Sequence, residues 1–303
     1  PMPQAYAPQT RVADVIADPV FAGFGRLLFP TTFGPPAPAM TLQDLPRWLP
    51  FHNCIRADTT AQVLNELRAR AAAGETIFYP IYTGAEQRRD PALRDTGLFF
   101  FRGRPGAPFA AVNAGGGFYY VGAIHESLPH ALALSRKGYN AFALIYRPDS
   151  ACTACTDLAR ALGWIVRHAE DLQLDPAGYS LWGGSAGARM AAWVGGYGAA
   201  AFGGDRLPKP AAVIMQYTGL SEYDRGDPPT YACVGTADGI APWRVMKGRI
   251  NGMAALGIPT EFHLYPGLPH GFGLGIGTRA EGWLDEAASF WRRQRENQVH
   301  TQR

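Results

Sequence analysis

The sequence predicts an α/β fold: a mostly parallel central sheet of about eight strands, helices on both faces, and an N-terminal arm. Three observations lead there. From Phe109 onward, short apolar runs alternate with stretches of helical periodicity, the pattern of a parallel sheet covered by helices. Two of the runs, Ala211–Tyr217 (AAVIMQY) and Thr230–Gly235 (TYACVG), are apolar almost throughout, as strands buried on both faces should be. The stretch Tyr179–Ala192 (YSLWGGSAGARMAA) reads as strand, sharp turn and helix, with a serine at the corner.

Residues 1–57 show no clear periodicity and are rich in Pro and aromatics (FAGFGRLLFP, TTFGPPAPAM, LQDLPRWLPF). They are too apolar for a disordered tail and are expected to pack as an arm on a main domain covering 58–303. Phe21, Phe24, Phe29, Phe33, Trp48 and Phe51 could form one wall of a small pocket or an ordinary packed arm, and the sequence leaves both open. Asp58-Thr59-Thr60 resembles a helix start, followed by a short amphipathic helix over Ala61–Ala73 that Gly74 ends. Strands are expected at Thr76–Thr83, Gly97–Arg102 and Phe109–Ala114, the first two as an antiparallel edge pair joined by a charged loop. Next come a helix over Glu126–Lys137 closed by Gly138 and a strand over Tyr139–Arg147. A helix over Cys155–Leu172 follows, with Leu158, Leu162, Ile165 and Val166 on one face. Beyond the serine turn and the two apolar strands lie a helix over Trp243–Leu256 ended by Gly257, a strand over Thr260–Tyr265 and a last helix over Ala280–Gln294. No internal repeat or low-complexity linker divides the chain.

Composition narrows the function. At 303 residues, 47% hydrophobic and 17% charged, the chain is a globule with ample core. A net charge of +3 with scattered Lys and Arg gives no nucleic-acid footprint. The basic run Arg292-Arg293-Gln294-Arg295 suits the negative end of a helix dipole. No run of about 18 apolar residues suggests a membrane span. Pro1-Met2-Pro3-Gln4 lacks the basic and apolar regions of a leader, and Met2 reads as a natural start behind a tag remnant. A cytoplasmic location is the simplest expectation, with a secreted or periplasmic one if a signal peptide has been trimmed. Cys152 and Cys155 have the spacing of half a zinc site or of a redox pair, but a zinc ribbon needs a second pair, and a redox site would want the pair to open a helix after the first strand of a small sheet; no metal and no cofactor is expected. Incidental thiols and one local disulfide both fit.

Ser185 lies at the centre of Gly183-Gly184-Ser185-Ala186-Gly187. Flanking glycines let strand and helix cross closely at a sharp corner, which lifts the hydroxyl out of the fold. The Ala186 N–H that follows is free to bind an anion. A serine hydroxyl needs a base to take its proton, and the base needs an orienting carboxylate. Of seven histidines, His270 lies in a Gly/Pro-rich loop (YPGLPHGFGLG) after a predicted strand, which places it at the carboxyl edge of the sheet. His168 falls on a helix, His263 in a strand, His300 in the tail, His125 and His130 near a helix start and His52 in the arm. For the acid, Asp238 directly follows the Thr230–Gly235 strand; Asp224 and Asp227 are rivals from the preceding loop, and Glu222 is a weaker one. A second anion-binding donor should come from Ala114-Gly115-Gly116-Gly117-Phe118, where glycines let the backbone approach a substrate.

In this order, residues 58 to 297 resemble the α/β-hydrolase fold, and within it the hormone-sensitive-lipase-like and bacterial acetyl (acetylxylan) esterase group. The resemblance rests on Gly115-Gly116-Gly117, Gly183-Gly184-Ser185-Ala186-Gly187, Asp238 and His270 in sequence, with Gly138-Tyr139 and Tyr146-Arg147-Pro148 as further similar pieces. Ala114 stands where the lipase-like branch has a loop histidine, which favours the acetylxylan-esterase-like group. The resemblance implies a Ser185–His270–Asp238 triad. It also implies an oxyanion hole of Gly116, Gly117 and Ala186 N–H groups, and hydrolysis of short acyl esters, acetyl above all, of a sugar or small alcohol. The expected partner is a small-molecule or oligosaccharide ester, with no nucleic acid and no membrane; a homo-oligomer is compatible. The alternatives are an amidase or peptidase of the same superfamily, and a non-catalytic ligand-binding homologue.

Overall fold

The computed structural model of the protein describes residues 3–301. Pro1 and Met2, read above as a start behind a tag remnant, lie outside the described residues. The helices are α1 (Val12–Ile16), α2 (Ala57–Ala72), α3 (Gly84–Arg89), α4 (Ala123–Glu126), α5 (Leu128–Arg136), α6 (Ala151–Arg167), α7 (Ala169–Leu172), α8 (Ala186–Tyr197), α9 (Trp243–Ala255) and α10 (Trp283–Thr301). The strands are β1 (Phe78–Tyr79), β2 (Gly97–Phe101), β3 (Pro108–Asn113), β4 (Asn140–Ile145), β5 (Asp175–Gly184), β6 (Ala212–Gln216), β7 (Thr230–Gly235) and β8 (Thr260–Tyr265).

They form one eight-stranded sheet in the order β1-β2-β4-β3-β5-β6-β7-β8. β1 and β2 are antiparallel to each other, β2 is antiparallel to β4, and every other pairing is parallel. From β2 to β7, apart from the entry to β5, the strand residues are buried, which explains their apolar sequence. The carboxyl ends of the central strands β3, β5, β6 and β7 share one edge. The glycine loop, Ser185, Tyr217 and Asp238 follow these strands, and the loop bearing His270 follows β8.

Several elements differ from the sequence expectation, each for a local reason. The strand expected over Thr76–Thr83 is cut to Phe78–Tyr79, because Pro80 has no N–H to continue the ladder. The charged loop after it contains α3. Thr83 and Glu86 close a capping box there, a T-x-x-E signature present in the sequence. Glu126–Lys137 divides at Ser127 into α4 and α5. The helix expected from Cys155 begins four residues earlier, where the Ser150 hydroxyl accepts from Thr153 N–H at 3.0 Å, and it breaks at His168. The last helix starts after Gly282, whose φ of +92° ends the preceding turn, and runs on to Thr301. All four cysteines are free thiols, so the disulfide option at Cys152 and Cys155 is not realised.

Residues 3–56 form α1 and three 3-10 turns, Pro19–Phe21, Gly25–Leu28 and Leu42–Trp48. Val12, Val15, Phe21, Leu28, Leu42, Leu45 and Leu49 are wholly buried in the cluster that contains the sheet residues. Phe24 stacks on Phe78 of β1 at 4.8 Å. The Arg147 that follows β4 grips the buried Asp157 of α6, with 2.8 Å from both its backbone and its guanidinium nitrogen, tying β4 to that helix.

Candidate active site

The serine turn is built by glycines. A Cβ on Gly183 would lie 2.1 Å from Gly187 O, and one on Gly187 would lie 2.0 Å from Asn113 O. Neither backbone atom can move aside, so larger residues would pry β5, α8 and β3 apart. Ser185 itself has φ +54° and ψ −115°, outside the helical and extended regions. Such a conformation costs on the order of 1–3 kcal/mol and persists only where its surroundings hold it. Here Ser185 N–H donates to Gln216 O at 3.0 Å. Ala186 opens α8, and a first-turn N–H has no acceptor inside its own helix.

The structure brings Ser185, His270 and Asp238 together. His270 Nε2 lies 3.0 Å from Ser185 Oγ, and its Nδ1 lies 2.7 Å from Asp238 Oδ2. Asp238 Oδ1 accepts from the N–H groups of Ile240 and Ala241 at 2.8 and 2.7 Å. The carboxylate is therefore oriented from both sides. Tyr217 packs edge-on to the His270 ring at 4.8 Å, and Asn53 Nδ2 donates to His270 O at 2.7 Å.

The rival acids lie elsewhere. Asp224 and Asp227 bond each other's turn, Asp224 N–H donating to Asp227 Oδ2 at 2.8 Å, and Glu222 offers its carbonyl to Arg249. Four other histidines have partners of their own. His125 bonds Gly271 O, His130 bonds Gln216 Oε1, His168 bonds Trp164 O and His263 bonds Glu261. Burial is the main cause that pushes His125 and His130 down to about 4, so both are neutral near pH 7.

The glycine loop runs beside the serine. A Cβ on Gly115 would lie 3.1 Å from Ser185 Cβ. Gly116 has φ +145° and room for no side chain, since a Cβ there would lie 2.0 Å from Tyr120 O. Gly117 has φ +66° and faces the Phe51 ring, 3.1 Å from its Cβ position. Tyr146 OH donates to Ala114 O at 2.5 Å and holds the base of the loop.

Sequence reasoning passed over Glu126. Its carboxylate is wholly buried beneath the loop, receiving Gly115 N–H at 2.6 Å, Tyr217 OH at 2.5 Å and His52 Nε2 at 3.0 Å. Burial alone would raise its pKa; the adjacent His52 imidazole and the hydrogen bonds from His52, Tyr217 and Gly115 outweigh it and hold the carboxyl well below its ordinary range. The one available signal was a lone acid amid apolar residues just after the glycines.

Among the described residues, one group could hold a metal ion: Glu261, His263 and Glu286, on β8 and α10. Their contacts are already those of a histidine between two carboxylates, at 2.7 and 3.3 Å. No helix among the described residues is long and apolar enough to cross a membrane.

The BD-FAE family model matches residues 109–209, from β3 through the serine turn and α8. No curated protein matches the sequence. Among solved structures, an acetyl ester-xyloside bifunctional hydrolase from Caldicellulosiruptor lactoaceticus is similar with a TM-score of 0.62 and 21% identity, over 71% of this chain and 95% of that one. An α/β-hydrolase enzyme from a Medee basin deep-sea metagenome library gives 0.57 and 21%, over 66% and 93%. The propionate-bound esterase 2 of the planctomycete Thermogutta terrifontis gives 0.52 and 20%, over 64% and 88%.

Proposed function

Because the chain has the α/β-hydrolase fold, we propose that it is a serine carboxylesterase acting on short acyl esters, acetyl above all, of a sugar or other small alcohol. The observation that carries this is the placement of His270 between Ser185 Oγ and the Asp238 carboxylate, at 3.0 and 2.7 Å.

The steps follow from that geometry. His270 Nε2 takes the Ser185 proton as Oγ forms a bond to the ester carbonyl carbon. The carbonyl oxygen becomes an alkoxide and is held by N–H groups of Gly116, Gly117 and Ala186. Collapse of the adduct breaks the bond to the leaving alkoxide, which takes the proton from His270. Water then gives its proton to His270 and attacks the acyl-enzyme; collapse of that adduct releases the acid and returns the proton to Ser185.

Two features support a small acyl group. Only about a dozen residues separate β6 from β7, too few for a large lid. The acetyl ester named for one structural neighbour and the propionate named for another are both short. On the alcohol side, the N-terminal segment forms a wall. The Phe51 ring abuts Gly117 and stacks on Tyr120 at 5.6 Å. Phe33 meets Tyr119 edge-on at 5.7 Å, and the Thr32 hydroxyl donates to Tyr119 O at 2.7 Å.

The test is hydrolysis of an aryl ester series from acetate to octanoate beside the matching aryl amides, with covalent labelling by an organophosphate. Preferred turnover of acetate, and labelling that vanishes in Ser185→Ala, are expected. Preferred turnover of the amides would move the assignment to an amidase, and a parent chain that never labels would remove the enzyme reading.

A further inference from the structure

We propose that Glu126 is a positioning residue for the reaction at Ser185, its buried carboxylate anchoring the glycine loop against the serine turn. The inference rests on the esterase reading above and concerns a residue which that mechanism does not use.

A carboxylate in this place is costly. Its side chain is 0% exposed, and an ion taken out of water loses its solvation, a loss its partners must offset. The fold could fill the space with an apolar residue. The partners show what the charge does instead. Oε1 receives Gly115 N–H, at the first residue of the glycine loop. The same oxygen receives His52, whose Nδ1 bonds the Tyr120 hydroxyl at 2.8 Å. Tyr120 in turn is the residue whose carbonyl fills the space beside Gly116. Oε2 receives the hydroxyl of Tyr217, the residue packed edge-on to His270. That hydroxyl also accepts Gly273 N–H at 3.1 Å, from the loop that bears His270. The carboxyl carbon lies where a Cβ on Gly184 would come within 2.5 Å, directly behind the residue preceding the serine.

One side chain thus touches the glycine loop, the serine turn and the Tyr217 support of the base. Through His52 it also reaches the N-terminal segment. Charge-assisted hydrogen bonds in a dry interior are short and directional, so they set loop position more sharply than apolar packing. The oxyanion donors follow Gly115 immediately, and a displacement of about 1 Å at a reacting centre can cost about 100-fold in rate.

Glu126→Gln keeps the shape and one acceptor but removes the charge and places an amide NH2 among donors. Tyr217→Phe removes two bonds, the one to Glu126 and the one from Gly273 N–H, and leaves the ring against His270. Both are measured with an aryl acetate, kcat being expressed per site titrated by an organophosphate, which discounts misfolded chains. Affinity for a trifluoromethyl ketone, whose serine adduct places an alkoxide among the same donors, is measured alongside. For Glu126→Gln, kcat should fall by about 10- to 100-fold with KM within about threefold, and the ketone should weaken by the same factor as kcat/KM. Tyr217→Phe should give a smaller loss of the same kind. If both variants keep kcat per titrated site and ketone affinity within twofold of the parent, Glu126 is a purely structural residue and the inference fails. A parent that titrates and turns over while Glu126→Gln matches it leaves the esterase reading standing and overturns this one. A parent that hydrolyses no ester overturns both.

Discussion

The His270 ring and the Asp238 carboxylate face each other at 2.7 Å, with 3% and 0% of their side chains exposed. Two backbone N–H groups occupy the other Asp238 oxygen, so the carboxylate cannot swing away from the ring. An amide at this position would offer its NH2 to Nδ1 and favour the tautomer that leaves Nε2 protonated and unable to accept from serine. Asp238→Asn should therefore lower kcat by roughly 10³- to 10⁴-fold while the melting temperature changes little. Asp224→Asn alters an exposed turn and should stay within about twofold of the parent. Steady-state turnover per titrated site separates the two, and a larger loss in Asp224→Asn would reverse the choice of acid.

The glycine loop makes a graded prediction. An added methyl at Gly116 meets backbone, Tyr120 O at 2.0 Å, whereas at Gly117 it meets the edge of the Phe51 ring at 3.1 Å. The ring can tilt and the carbonyl cannot, although both positions have a positive φ that L side chains resist. Gly116→Ala should lose about 10²- to 10³-fold in kcat, the scale of one missing oxyanion donor, and Gly117→Ala distinctly less. Comparable losses in the two variants would show that backbone conformation, not the Tyr120 clash, decides the outcome.

These positions also show what the sequence reveals and what it hides. The serine turn is legible because glycine is required at fixed spacing around one residue, and that requirement is local. The alternation of strands and helices is legible for the same reason, as each buried strand is apolar along its own length. Glu126 is not legible, because the partners that stabilise its charge lie 11 residues before it at Gly115 and 91 after it at Tyr217. Nor does composition sort the N-terminal aromatics. Phe21 and Phe29 are core residues, 0% and 2% exposed, while Phe33 and Phe51 are 37% and 39% exposed beside the glycine loop. The same residue type fills both roles, and only the tertiary packing separates them. The early end of β1 is a local effect that Pro80 announces, and its weight is clear only once the ladder is seen to stop there.

Acid sensitivity should trace to buried histidines. His130 bonds Gln216 through Nε2, and its Nδ1 is buried with no hydrogen-bond partner among the described residues. A proton added there would be an unpaired buried charge, in keeping with a pKa pushed down to about 4 by burial. The folded value lies below the unfolded one of about 6.5, so between them the unfolded chain binds more protons. Stability from this group is fully present above about pH 6.5 and is lost as the pH falls toward 4, by at most about 1.4 kcal/mol per pH unit. Urea unfolding at pH 7 and pH 5 should show the parent losing about 2 kcal/mol more than His130→Gln over that interval. Equal losses in the two proteins would mean that His130 is not held neutral by its site.

The proposed role of the N-terminal segment as a wall of the site is tested at Phe51. Its backbone N–H donates to the Tyr120 hydroxyl at 3.0 Å, a bond that survives truncation of the side chain. The ring itself is partly exposed, so Phe51→Ala removes a surface beside Gly117 without opening a closed core. Contact with the alcohol part of an ester is made in the ground state and the transition state alike, so its loss should appear in KM. We expect KM for an aryl acetate to rise by about three- to tenfold, with kcat within about twofold. For methyl acetate, which has no ring to lay against the wall, the change should be much smaller. Identical effects on the two esters, or a fall in kcat alone, would place Phe51 outside the substrate site and leave residues 3–57 as packing for the sheet edge.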